Sequence, residues 1–98
     1  MEFRFAAEAE EDIEQARLFL EAYRAGLGER FRAETRATLD YIEVWPRGFQ
    51  IRYQFYRFAP LAMFRYQIIY SSEGEHIVVH RIRHMRQRRL KRYFGSGA

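Results

Sequence analysis

The sequence contains no cysteine, and it has no long apolar run among its 98 residues. Without cysteine, disulfides and thiolate metal sites are excluded, which is typical of proteins from a reducing cytoplasm. No uncharged apolar stretch approaches the roughly 18 residues that a membrane span requires. The N-terminus is acidic where a secretory signal peptide would be basic and then apolar. We therefore expect a cytoplasmic protein without a membrane partner.

Apolar and aromatic side chains are abundant enough for a folded core. Apolar residues form 48% of the chain and aromatic residues 17%, which argues against a disordered segment. A chain of this length has room for one modest core. We expect a single domain over residues 1–98.

Charge is distributed unevenly along the chain. Residues 1–45 carry 6 arginines and 11 carboxylates, whereas residues 46–98 carry 11 basic residues and only 2 carboxylates. Of the 17 basic residues 16 are arginine, which favours bidentate contacts with phosphate or carboxylate. The densest run, residues 81–92, predicts contact with nucleic-acid phosphate or with an acidic partner segment. A solvated basic face without a ligand is the alternative.

The acidic half has the pattern of one strand followed by two helices. Residues 2–6 alternate as a short edge strand does. Residues 8–25 and 28–44 repeat apolar side chains every three or four positions, which predicts two helices. A Gly-Leu-Gly segment separates them, with Gly26 expected to end the first helix, and Pro46 stops the second. So short a junction predicts an antiparallel helical hairpin packed against a sheet, with apolar and aromatic helix residues in the packing.

The basic half has the pattern of an antiparallel sheet. Residues 64–70 alternate as a half-buried strand does, residues 71–75 form a polar loop with a glycine, and residues 77–82 supply β-branched side chains. Residues 50–62 predict one bent strand or two segments, because Pro60 cannot donate a ladder hydrogen bond. The fold class is therefore α+β. It comprises a short N-terminal strand, an antiparallel two-helix hairpin, and a three- to four-stranded antiparallel sheet with a basic C-terminal segment.

Several stretches, in this order and spacing, carry a resemblance to a known family. They are GLGERF at residues 26–31, IRYQFYRFAPLAMFRY at residues 51–66, the strand YQIIY at residues 66–70, and His84 near the end of the last strand. Together they resemble the RelE/ParE superfamily of toxins from bacterial type II toxin–antitoxin systems. The resemblance covers nearly the whole chain.

The resemblance implies a small toxin silenced by a cognate antitoxin. RelE-like members cut mRNA in the ribosomal A site, whereas ParE-like members inhibit DNA gyrase. Because both share one fold, the fold alone does not choose between these activities.

Two glutamines depart from the nuclease pattern of this family. RelE-like nucleases typically carry arginine directly after the first tyrosine of the Tyr-x-aliphatic-x-Tyr strand and three residues after the histidine. Here these positions are Gln67 and Gln87. A metal-independent nuclease would need other groups to accept the 2′-OH proton, neutralise the phosphate and protonate the leaving oxygen. The candidate catalytic residues under that hypothesis are Arg65, Arg86, Arg88 and Tyr93.

Other basic residues are candidates for binding nucleic acid or an antitoxin. They are Arg52, Arg57, Arg81, Arg83, His84 and Arg89.

Three histidines recur at every fourth position of the last predicted strand: His76, His80 and His84. A regular strand would place all three on one face, with neighbours about 13 Å apart. One ion cannot bridge that distance, so we expect neither a metal site nor a cofactor.

The leading hypothesis is a ParE-like toxin that inhibits growth by binding an essential target, because the glutamines interrupt the nuclease pattern. A RelE-like, ribosome-dependent mRNA endoribonuclease is the first alternative. A non-toxic relative that binds RNA or protein is the second. The expected partners are a cognate antitoxin and either DNA gyrase or ribosome-bound mRNA.

Overall fold

The computed structural model describes residues 2–86, which form two helices and five strands in the order βααββββ. The predicted basic segment beyond Arg86 lies outside the described residues. The elements are β1 (Glu2–Phe5), α1 (Ala7–Tyr23), α2 (Leu27–Val44), β2 (Ile51–Tyr53), β3 (Tyr56–Pro60), β4 (Tyr66–Glu73) and β5 (His76–His84). Within the described part of the chain, no helix is both long and apolar enough to cross a membrane.

All five strands belong to one sheet with the spatial order β1-β5-β4-β3-β2. Strands β2 to β5 pair antiparallel, as the sequence predicts. β1 is the predicted edge strand, and it adds a fifth strand that runs parallel to β5. The α+β prediction is confirmed, with this parallel strand added to the four antiparallel ones.

The region predicted as one bent strand or two segments forms two strands. β2 and β3 pair as a short hairpin, and Gln54 in the turn between them has a φ of 50°. β3 ends at Pro60, which cannot donate a hydrogen bond to a neighbouring strand.

The main core lies between the helical hairpin and one face of the sheet. Both helices pack on this face, as the apolar repeats in the two predicted helices indicate. The buried residues of this core are Ala9, Ala16, Phe31, Ile42, Ala59, Leu61, Ile68, Tyr70, Ile77, Val79 and Ile82. Two aromatic residues of the helices remain largely outside it, since Phe19 is 67% and Tyr23 80% exposed.

A carboxylate closes the junction between the two helices. Glu21 accepts hydrogen bonds from the backbone N–H groups of Gly26 and Gly28, at 3.0 and 2.9 Å, and these bonds lower the pKa of Glu21. A Cβ atom at Gly28 would lie 2.8 Å from the carbonyl oxygen of Arg17, so only glycine allows this approach. The expectation that Gly26 ends the first helix was wrong: α1 ends at Tyr23, and Gly26 precedes α2 with a φ of 93°.

The β4–β5 turn is tighter than predicted. Residues 71–75 were expected to form a loop, but Ser71–Glu73 continue β4 and only Gly74 and Glu75 form the turn. Gly74 has a φ of 64°, a conformation that glycine adopts without strain. The polar residues belong to the strand because their side chains find partners on the sheet, as described below.

An irregularity in β5 changes which side chains face the helices. Val79 pairs with Tyr70 and Arg81 pairs with Ile69, so β5 contains one extra residue, His80, between these two pairs. This is a β-bulge, which interrupts the strict alternation of side chains.

The bulge places two of the histidines on opposite faces of the sheet. Val79 and Ile82 both lie in the core under the helices, although a regular strand would place residues three apart on opposite faces. His84 lies on the helix side beside α1, whereas His80 packs on the other face. The expectation that the three histidines share one face was therefore wrong.

Two side chains from the sheet hold the turn that follows α2. The hydroxyl of Tyr70 donates a hydrogen bond of 2.7 Å to the carbonyl oxygen of Pro46. Arg57 donates one of 2.7 Å to the carbonyl oxygen of Phe49. The chain is thereby fixed where it passes from the helical layer to the sheet.

Substituting Tyr70→Phe tests this arrangement. The change removes one buried hydrogen bond and leaves the Pro46 carbonyl without that donor, so we expect the free energy of unfolding to fall by about 1 kcal/mol. Urea denaturation measures the change. Tyr23→Phe, at an 80% exposed position, is the matched control and should leave stability unchanged. Equal stability of the two variants would contradict the assigned role of the Tyr70 hydroxyl.

Candidate functional site

A cleft of about 460 Å³ opens between α1 and the end of the sheet where β4 begins and β5 finishes. Its walls combine an apolar surface with cationic and polar groups, as is common in binding sites. The residues that line it are Asp12, Gln15, Ala16 and Phe19 of α1, Tyr66 of β4, Ile82 and His84 of β5, and Arg86.

Asp12 fastens α1 to the bulge in β5. One carboxylate oxygen accepts a hydrogen bond of 2.7 Å from Nε of Arg81, and the other accepts one of 3.0 Å from Nη2. The backbone N–H of Ile82, just after the bulge, donates a third bond of 3.0 Å. This bidentate, charge-assisted contact raises the pKa of Arg81 and fixes the wall of the cleft.

His84 lies in the cleft with a defined ring orientation. Its ring packs edge-on against Tyr66, with centroids 5.1 Å apart. Its Nδ1 accepts a hydrogen bond of 3.0 Å from the backbone N–H of Arg86. The neutral ring therefore carries its proton on Nε2, which is a donor and not a base.

Tyr66 is held by aromatic packing. Its ring meets Phe31 of α2 in an edge contact, with centroids 5.2 Å apart, in addition to the contact with His84. Burial raises the pKa of the Tyr66 hydroxyl, so this group keeps its proton at neutral pH.

Arg65 lies beside the cleft on a braced loop. Its carbonyl oxygen accepts a hydrogen bond of 2.8 Å from the backbone N–H of Met85. On the same loop, the N–H of Met63 donates to the carboxylate of Glu34 on α2. Because β4 begins at Tyr66, Arg65 lies directly before the strand.

The structure brings together some of the predicted binding residues and separates others. His84 and Arg86 line the cleft, and Arg65 lies next to it. Arg83 lies opposite Gln67 in the β4–β5 register. Because successive residues of a strand face opposite sides of the sheet, Arg83 lies on the face away from the cleft residue His84.

The remaining predicted binding residues are distributed differently. Arg57 and Arg81 make the internal contacts described above. Arg52 is exposed on the edge strand β2, which two strands separate from β5. Arg88, Arg89 and Tyr93 lie outside the described residues, and their roles stay predictions.

Sequence reasoning missed the contribution of α1 to the cleft. Asp12 and Phe19 belong to it, although the sequence predicted only a packing role for the aromatic residues of the helices. One signal was available, because Asp12, Ala16 and Phe19 follow one another at helical spacing and so share a stripe. The partner of that stripe could not be identified from the sequence.

A second polar cluster lies on the sheet face away from the helices. The hydroxyl of Ser71 donates to the carboxylate of Glu73 at 2.6 Å and lies 2.8 Å from Nε2 of His80. The His80 ring packs edge-on against Tyr56, with centroids 5.0 Å apart. Burial lowers the pKa of His80, an effect that the Glu73 carboxylate opposes, and burial raises the pKa of Tyr56 to about 12. Ser71 and His80 are too deeply buried to meet a macromolecular ligand directly.

Comparisons with known proteins agree with the fold. No family model and no curated protein matches the sequence. Seven chains of solved structures match. One of them belongs to a structure described as the chromosomal ParDE TA system from P. aeruginosa. The two chains align with a TM-score of 0.65 and are 12% identical in sequence. The alignment covers 86% of this chain and 95% of the other. The fold expected from the RelE/ParE resemblance is confirmed. At this identity the likeness concerns the fold alone.

The buried position of His80 predicts a pH dependence of stability. At pH values above the ordinary histidine pKa of about 6.5, the ring is neutral in the folded and unfolded states and contributes no slope. Below that value the unfolded chain binds a proton more readily, because the folded pKa is lowered. The free energy of unfolding should therefore fall as pH decreases from 6.5 towards 5, by at most about 1.4 kcal/mol per pH unit for this one group.

His80→Gln should flatten that part of the profile, as measured by urea denaturation at a series of pH values. Glu73→Gln should make it steeper, since the Glu73 carboxylate raises the pKa of His80. A His80→Gln profile parallel to that of the unsubstituted protein would contradict the assignment.

Proposed function

We propose that the chain is the toxin of a type II toxin–antitoxin module. It acts in the cytoplasm by binding an essential target, as ParE-like proteins do, and a cognate antitoxin neutralises it. The observation that carries this proposal is the fold shared with a chain of the ParDE system over 86% of the sequence. The cleft at the end of the sheet, lined by Arg86, His84 and Tyr66 among others, supplies the binding surface.

The chemistry of the cleft supports binding more than catalysis. Metal-independent RNA cleavage needs a group that accepts the 2′-OH proton. Nδ1 of His84 already accepts a hydrogen bond, the Tyr66 hydroxyl stays protonated, and the Asp12 carboxylate accepts three hydrogen bonds. His84, Tyr66 and Arg86 can thus donate hydrogen bonds to an anionic or polar partner.

A RelE-like endoribonuclease is the second candidate. The observation in its favour is that His84 and Arg86 line one cleft and that the backbone of Arg65 is hydrogen-bonded next to them, so these residues could together neutralise a phosphate. This candidate also relies on Arg88 and Tyr93, which lie outside the described residues.

Induced expression in bacteria tests the toxin proposal. We expect growth arrest, relieved by co-expression of a small protein encoded beside the gene, as a cognate antitoxin would be. A His84→Gln/Arg86→Gln double variant should lose toxicity because it removes two donors of the cleft. Arg52→Gln, an exposed substitution on the far strand, should remain toxic. Normal growth at full soluble expression of the unsubstituted chain would contradict the proposal and favour a non-toxic RNA- or protein-binding relative.

The target is tested by two parallel measurements after induction. We expect loss of gyrase supercoiling activity, because DNA gyrase is the target of ParE-like members of the family, and mRNA that stays intact. Ordered cleavage of ribosome-bound mRNA would contradict this expectation and favour the nuclease. In that case, substitution of Arg65 and Arg86 by glutamine should abolish the cleavage.

A further inference from the structure

Arg81 was expected to bind a ligand, but its side chain is bound within the protein. Its guanidinium makes two hydrogen bonds to Asp12, at 2.7 and 3.0 Å. The Asp12 side chain is 14% exposed and that of Arg81 is 23% exposed, so water screens the pair only partly. We propose that Asp12 determines which anions the cleft binds. Because Asp12 binds the Arg81 guanidinium, Arg81 is not available to contact a ligand.

The geometry makes this withdrawal effective. Asp12 uses both oxygens for the guanidinium and also accepts the backbone N–H of Ile82, so its carboxylate is fully engaged. A phosphate that recruited Arg81 would leave the half-buried Asp12 without its cation, which is strongly unfavourable. Arg81 therefore stays with Asp12 when a ligand arrives.

Among residues 2–86, the other groups that can bind an anion here are Arg86 and the hydrogen-bond donor His84, which line the cleft, and Arg65, which lies beside it. A polynucleotide derives its affinity from the number of phosphates that are neutralised at once. Removing one guanidinium from this small set weakens polynucleotide binding more than binding of a peptide that presents one or two carboxylates beside apolar side chains. Asp12 thus biases the cleft towards an acidic peptide segment and against nucleic acid.

This inference goes beyond the proposed function, since it concerns the selectivity of the cleft and is tested on purified protein without a cellular target. The probe is an oligothymidylate single strand. Its binding constant is measured by fluorescence anisotropy over a series of salt concentrations, for the full chain and for Asp12→Asn. The control is Glu10→Gln, which removes the same charge from an exposed position on α1 and leaves the Asp12–Arg81 pair in place.

The slope of log binding constant against log salt concentration counts the phosphates that are neutralised. Asp12→Asn should steepen this slope by about 0.7, the contribution of one additional phosphate contact on a single strand. Glu10→Gln should leave it unchanged. Equal slopes for the two variants would overturn the proposal, because the effect would then reflect net charge alone.

Two further variants show whether the effect passes through Arg81. Arg81→Gln alone should leave the slope of the otherwise unsubstituted protein unchanged, and adding it to Asp12→Asn should restore the original slope. Loss of about 0.7 in the Arg81→Gln slope would overturn the proposal, since Arg81 would then bind phosphate directly. If circular dichroism shows that Asp12→Asn does not fold, the Arg81→Gln measurement alone decides.

Discussion

The contact of Asp12 with the β5 bulge is the interaction on which the arrangement of the sheet depends. Its carboxylate accepts hydrogen bonds from the Arg81 guanidinium and from the N–H of Ile82. An extra residue in a strand leaves backbone groups without their ladder partners, and a carboxylate of α1 binds one of them. The bulge returns Ile82 to the core and places His84 next to α1, and the Asp12 contact lies at this point of the strand. Removing one partner of a fully buried ion pair costs about 3–5 kcal/mol. The Asp12–Arg81 pair is partly exposed, so the cost here is smaller.

Polar side chains fix the position of the loops, whereas apolar side chains hold the helices against the sheet. Glu34 of α2 binds the N–H of Met63 on the loop that carries Arg65, and Tyr70 binds the Pro46 carbonyl at the other end of its own strand. A buried layer of aliphatic side chains is not directional, so it sets the distance between helices and sheet but leaves the loops free to shift. Hydrogen bonds to backbone groups remove that freedom. The two loops are therefore positioned by directional hydrogen bonds from Glu34 and from the hydroxyl of the buried Tyr70.

The sequence predicted the elements whose signal is local. Helical periodicity located both helices to within about two residues, and alternation located the strands, because these patterns arise from side chains close together in the chain. The bulge could not be predicted, since it depends on Asp12 and Ile82, which are 70 residues apart. The Ser71–Glu73 segment was mistaken for a loop because its polarity is that of a turn. In the fold its hydroxyl and carboxylate are satisfied by His80 and by each other.

The sequence predicted that the candidate site contains basic residues, but it did not predict which of them belong to the site. Arginine count and position identify a basic half, yet they do not separate an arginine that binds a ligand from one that binds the protein itself. Arg57 and Arg81 have the same sequence context as the other basic residues, and both are occupied by internal acceptors. His84 and Arg86 differ from them because the strand ends there, and their side chains meet the open side of α1. Among residues 2–86, internal acceptors therefore occupy two of the arginines that composition alone would assign to a binding surface.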